Sequence, residues 1–211
     1  MNIFRILIFI IFVGIPLGVH AQIDGIVISE IGAFEPADTE WIEIYNSGSE
    51  DAAITELRLF ENSTNHGITT YRGGAVVAPN TYAIIANKAA DFVAKYPDYT
   101  GTVFDSSWGS LKEEGEELGL KNDDDSVVEQ FIYPAHSGGT SLERVDLGGD
   151  GSDAHNWAGH PSGHTIGTGY IAVIAEETAE PEAEVETETE VTPEPESETA
   201  PAPEPEAAPQ P

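Results

Sequence analysis

Three carboxylates fall within one glycine-rich run, Asp146-Leu147-Gly148-Gly149-Asp150-Gly151-Ser152-Asp153. Calcium takes roughly six to eight oxygen ligands, and Asp146, Asp150 and Asp153 offer that donor type on a backbone free to turn. The spacing is not that of an EF-hand, because no Asp-x-Asp-x-Asp-Gly occurs and no Glu closes the loop. The competing reading is a solvated turn in which each Asp bonds nearby backbone amides. Turn chemistry likewise accounts for Asp123, Asp124, Asp125 and Glu129, read as an acidic hairpin tip. His136, His155, His160 and His164 gather in the same part of the chain. Zinc needs about four convergent ligands, usually at fixed spacings. With no His-Glu-x-x-His and no Cys, His160-Pro161-Ser162-Gly163-His164 reads as a loop carrying two histidines.

The stretch EWIEIYNSGSE, residues 40–50, carries three further acids among aromatics. A period of two puts Ile42 and Ile44 on one face of a strand and Trp41, Glu43 and Tyr45 on the other. The aliphatic face is the expected core, which leaves Glu43 on an outer, solvated face. Glu40 and Glu50 stand about 33 Å apart if the chain is extended, at about 3.3 Å per residue. An acid–base pair must converge on one substrate, so these glutamates are expected to be a solvated strand face. The chain has no Gly-x-Ser-x-Gly elbow and no phosphate loop. Trp41, Trp108 and Trp157 are read as packing residues, and the sequon Asn62-Ser63-Thr64 as turn composition. No catalytic residue is assigned.

The elements that must position these groups are short. Alternating runs at Ile26–Ile31, Trp41–Tyr45, Ile54–Phe60, Ala75–Val77, Tyr82–Ala86, Leu118–Leu120 and Val127–Tyr133 are separated by Gly, Asn, Asp and Pro. Such a pattern predicts an all-β sandwich. One helix interrupts it over 88–96, where Phe92 and Tyr96 lie four apart before Pro97.

Residues 1–21 read as a signal peptide: Arg5, an apolar run from Ile6 to Val13, and small residues at Val19 and Ala21. Residues 22–175 are the expected domain, and 176–211 an acidic tail with 13 Glu and no Lys, Arg or aromatic residue. That composition cannot bury enough surface to offset chain entropy, so disorder is expected there. The mature chain is expected to lack a transmembrane helix and to be secreted or held at the cell surface. Without Cys the domain has no disulfides.

Four segments, in order, resemble the lamin-tail domain (LTD), a family found in nuclear lamins and in secreted bacterial proteins. They are IVISEI (26–31), EWIEIYNSGSEDAAIT (40–55), LKEEGEELGLKNDDDSVVEQFIY (111–133) and SLERVDLGGDGSDAHNW (141–157). The resemblance covers most of residues 25–170. It departs from the family pattern in the 88–96 helix and in HPSGHTIGTGY, which stands where a Thr-Pro-Gly ending is usual. It implies an immunoglobulin-like β-sandwich serving in attachment or interaction, with no catalytic residues to carry over; no cofactor is expected, calcium at the 146–153 loop being the possible exception.

Three functions follow from these readings. The first is an exported non-catalytic module with a protein or cell-surface partner. The second is a calcium-dependent adhesion or carbohydrate-binding module using Asp146, Asp150 and Asp153. The third is a secreted metal-dependent hydrolase. Nucleic acid is not an expected partner. The formal net charge of the chain is −30, and the 22–175 stretch holds 25 acidic against 7 basic residues. Affinity for phosphate backbones depends on Lys and Arg displacing counterions. Fluorescence-anisotropy titration against labelled duplex DNA should therefore show no saturable binding at physiological salt.

Overall fold

The computed structural model describes residues 23–136 and 138–170. The expected signal peptide and acidic tail lie outside the described residues. The described residues form thirteen strands: β1 (Ile26–Ile31), β2 (Trp41–Asn46), β3 (Ala52–Ala53), β4 (Leu57–Glu61), β5 (Thr64–Gly67), β6 (Thr69–Arg72), β7 (Val76–Val77), β8 (Tyr82–Ala86), β9 (Thr102–Asp105), β10 (Glu117–Asn122), β11 (Val127–Ile132), β12 (Leu142–Arg144) and β13 (Trp157–Gly159). Among the described residues one α-helix, α1 (Ala89–Lys95), lies between β8 and β9. A seven-stranded sheet runs β13-β12-β1-β2-β8-β9-β6, a four-stranded sheet runs β11-β10-β4-β5, and β3 pairs with β7. The chain is an all-β sandwich, as its alternating runs predict, and of the immunoglobulin-like kind that the resemblance implies.

Local chemistry explains most of the elements. The β4–β5 hairpin turns through Asn62 and Ser63, both at positive φ (43° and 68°), which matches the right-handed twist of the flanking strands. Asp125 (φ 65°) serves the β10–β11 turn in the same way. β8 and β9 are parallel. A parallel pair needs a crossover longer than a hairpin, and α1 with the 96–101 loop supplies it.

The main core lies between the two large sheets. Ile28, Ile42, Ile44, Ile85 and Phe104 from the seven-stranded sheet share it with Leu59, Leu118, Leu120 and Phe131 from the four-stranded sheet. A second apolar cluster covers the other face of the seven-stranded sheet, where Trp41, Ile84, Ala86 and Val103 meet Ala89 and Phe92 of α1. Partly buried Phe34, Tyr96, Tyr99 and Ile166 close over it. The alternation along β2 is as expected, with Ile42 and Ile44 in the sandwich core. The opposite face is nevertheless not solvent, because α1 and the chain around Ile166 cover it.

A β-bulge sets which β1 residues face which way. Ile28 pairs with Ile44, but Glu30 pairs with Glu43 and Ile31 with Ile42, so the register shifts at Ser29. The extra residue keeps Ile28 and Ile31 in the core while turning both Ser29 and Glu30 to the outer face. A bulge commonly re-aims side chains in this way. Without it Glu30 would continue the alternation of Ile26 and Ile28 and enter the sandwich core.

Ile44 has no exposure to solvent. Replacing Ile44 by Ala should cost about 2–5 kcal/mol, the range for buried aliphatic truncations, measured as a lowered urea midpoint at unchanged m-value.

Candidate functional site

The outer face of the seven-stranded sheet carries three glutamates side by side. Glu30 of β1 stands opposite Glu43 of β2 on one side and opposite Glu143 of β12 on the other. All three are buried, at 1%, 0% and 1% exposure. The cover is the segment 160–168, which crosses above them after β13. The amide of Thr165 donates to Glu30 Oε1 at 3.0 Å, and the amide of Gly167 donates to Glu43 Oε2. The Ser29 hydroxyl donates to Glu43 Oε1 at 2.9 Å, and the Ser141 hydroxyl donates to Glu30 Oε1. Ser141 also ties the segment down from below, its amide donating to Gly163 O at 2.7 Å. Within the three glutamates and the segment over them, four buried polar atoms have no hydrogen-bond partner: Glu30 Oε2, both Glu143 oxygens and Thr165 Oγ1.

Burial dominates the electrostatics. Glu30 is pushed up to about 9, by desolvation first and the Glu43 charge second, against the Ser141 and Thr165 hydrogen bonds. Glu43 rises to about 7 through burial and the nearby Glu143, opposed by Gly167 and Ser29. Glu143 is raised by burial, while the Thr165 hydroxyl, His160 and Glu30 draw it back down. Like charges directly opposite on neighbouring strands are destabilising, and a buried carboxylate without partners takes up a proton rather than stay charged.

The glutamates expected to be a solvated strand face are therefore corrected. Glu43 keeps its predicted side of β2, but that side is covered. Glu40 is buried too, accepting from Trp108 Nε1 at 2.7 Å, Ser110 Oγ at 2.7 Å and the Leu111 amide at 3.0 Å. It pins the 106–111 loop to the entrance of β2. Only Glu50 is exposed. Glu129 is corrected as well. Asp123 and Asp125 do sit at the hairpin tip, bonded to Arg58 and Asn65, whereas Glu129 points inward. It pairs with buried Arg144 and accepts from the Ile28 amide at 2.6 Å, closing one side of the sandwich.

The three carboxylates proposed for calcium each turn back on their own loop. Asp146 accepts from the Gly148 amide at 2.9 Å, Asp150 from Ser152 at 2.8 Å and Asp153 from His155 at 2.9 Å. These are Asx-type turns. The loop's composition has a packing reason, since a Cβ on Gly151 would lie 2.8 Å from the Phe131 ring. Of the histidines, His155 is exposed and His136 bonds Thr140 at 2.7 Å, while His160 and His164 belong to the covering segment. Among the described residues no three His, Asp or Glu side chains are grouped to hold a metal ion.

Beside the covered glutamates lies a cleft of about 920 Å³. Its walls are the start of β8 with Tyr82, the end of α1 and the 96–101 loop with Tyr96 and Tyr99, and the segment 164–168. His164 meets Tyr96 edge-on at 5.0 Å and Trp41 at 6.2 Å. Glu35, itself buried, fixes the helix end by accepting from Lys95 and from the Tyr96 hydroxyl. Tyr99 lies against Gly101 and donates to Thr102 O at 3.2 Å. Sequence reasoning missed this site. The available signal was Glu in the middle of otherwise apolar strands, as in ISEI and WIEIY. Strands apolar on both faces are buried on both.

The buried carboxyls set a direction for stability against pH. With folded values above the ordinary 4.5, the folded chain holds protons that the unfolded chain has released. Stability is thus full below about 4.5 and is lost as pH rises through about 7 and about 9. Chemical denaturation across this range should show a falling midpoint, and Glu30→Gln should flatten the fall.

Residues 20–135 of the chain match the Lamin Tail Domain family. That span holds Glu30, Glu43 and the strands through β11, and it stops before β12, β13 and the covering segment. No curated protein and no solved structure matches the chain. With more than half of its 211 residues matched and the immunoglobulin-like sandwich in place, the chain belongs to the lamin tail domain family.

Proposed function

We propose that this chain is an exported, non-catalytic binding module that meets a cell-surface partner through its tyrosine-lined cleft. The observation that carries this reading is the division of labour on one sheet face. The carboxyls suited to proton chemistry are covered by the 160–168 segment and spend their bonds on holding it. The neighbouring cleft is instead lined by Tyr82, Tyr96, Tyr99 and His164 among exposed Asn80, Asp98 and Thr100. Rings with a polar tip combine apolar contact with a hydrogen bond, which is why tyrosine is enriched at interfaces. Membership of a structural immunoglobulin-like family supports the non-catalytic role. No helix of the described residues is long and apolar enough to cross a membrane. Export is supported by the composition of residues 1–21, and the acidic composition of residues 176–211 suits a solvated spacer.

Labelled protein should bind intact cells of its own source saturably. Asp98→Arg and Thr100→Arg, two exposed rim changes, should together weaken binding by about tenfold or more, on the scale of an interface hot spot. Unaltered binding by that double variant would remove the cleft from the interface. Calcium and chelator arms separate the competing adhesion reading through Asp146, Asp150 and Asp153, for which binding would vanish on chelation.

A further inference from the structure

We propose that segment 160–168 is a proton-held latch: Glu30, Glu43 and Glu143 keep it on the sheet while they share bound protons, and release it when those protons are lost. The latch is also a wall of the cleft, through His164, Ile166, Gly167 and Thr168. Its release would remodel the surface assigned above to binding. That coupling rests on the proposed function, whereas the latch itself does not.

The geometry requires a proton between the carboxyls. Glu30 Oε1 already accepts two hydrogen bonds, from Ser141 and Thr165. Its Oε2 and both Glu143 oxygens are buried with no partner among ordinary donors. All three atoms belong to residues that face each other directly across β1 and β12. A hydrogen on Glu30 Oε2 supplies the missing donor to Glu143, beside the Thr165 hydroxyl that already draws Glu143 down. Placing protons thus satisfies the buried atoms that would otherwise be orphaned, which a native interior rarely tolerates. The same protons remove repulsion among three buried carboxylates on adjacent strands.

The segment has few other holds. Besides the Thr165 and Gly167 amides on Glu30 and Glu43, it is tied through Gly163 O to Ser141, through His164 against the Trp41 and Tyr96 rings, and through Ile166 to the apolar cluster. Its glycines Gly163 and Gly167, and Gly169 just beyond it, all have positive φ, at 100°, 86° and 69°. Ionising the glutamates beneath it would draw water toward buried charge, which the segment excludes while it is seated over them.

Other titrating groups face the cluster and must be separated from it. His160 and His164 come from the latch itself, Tyr82 from β8, Tyr96 and Tyr99 from the helix end and its loop. Burial, first, and His160, second, push His164 down, and burial raises the three tyrosines. His160 draws Glu143 toward its charged form, so a variant at His160 is needed to separate its contribution from that of the carboxyls.

Hydrogen exchange of the purified protein, read at the amides of Thr165 and Gly167 and corrected for intrinsic rate, tests the latch. Protection should fall roughly tenfold or more between about pH 6 and pH 9, the equivalent of at least one pKa unit, while the amide of Ile44 stays protected. Glu30→Gln and Glu43→Gln, which mimic the protonated acids, should each reduce that fall, and His160→Gln should retain it. Constant latch protection across this range in the wild-type protein overturns the proposal without any variant being needed. So does a fall that His160→Gln abolishes. Cell binding measured at the same two pH values separates the two readings: release of the latch with unchanged binding leaves the latch standing and removes the cleft from the interface.

Discussion

The face-to-face placement of Glu30 and Glu43 is the constraint around which the outer half of the molecule is arranged. Two carboxyls opposed across neighbouring strands repel if both are ionised, and water would ordinarily screen them. Here water is excluded, so charge is exchanged for protons and for amide and hydroxyl donors. The donors come from Ser29 in the bulge, Ser141 before β12, and Thr165 and Gly167 in the covering segment. These donors come from three stretches far apart along the chain. The arrangement therefore exists only when β1, β2, β12 and the segment after β13 have all assembled.

That dependence divides the sandwich into two regions with different physics. Between the sheets, Ile42, Ile44, Leu59, Leu118 and Leu120 form an aliphatic core whose stability varies little with pH. On the outer face, Trp41, Phe92 and Val103 form a smaller core that grades into the buried glutamates and then into the tyrosine-lined cleft. The sandwich can be read as scaffold and the outer face as the part that responds. Arg144 and Glu129 mark the border at the opposite edge, where a buried ion pair with backbone bonds to Ile28 and Gly149 replaces the apolar contacts of the interior.

Hydrophobic alternation determined a good deal by itself. It placed Ile42 and Ile44 in the core, delimited β1, β2 and β8 to within a residue, and gave an all-β sandwich; the family came from the four motif segments, and α1 from the spacing of Phe92 and Tyr96 before Pro97. It did so because a strand's side chains alternate whatever it packs against, and because turn residues such as Asn62 and Asp125 carry their conformation locally. Strands β5, β6 and β9 were not legible. Thr64–Gly67 and Thr69–Arg72 are polar, exposed pieces held by pairing with their neighbours, and β9 is set by a parallel partner that α1 brings round.

Alternation states which side of β2 carries Glu43, but not what lies on that side. A strand with Trp, Glu and Tyr on one face looks the same whether that face meets water or a second layer. Only the tertiary structure decided it, by laying α1 and residues 160–168 over the sheet. The same holds for Glu40 and Glu129, whose donors sit dozens of residues away. Which carboxylates are solvated turn residues and which are buried acids holding protons depends on long-range cover. That cover leaves no periodic trace in the sequence.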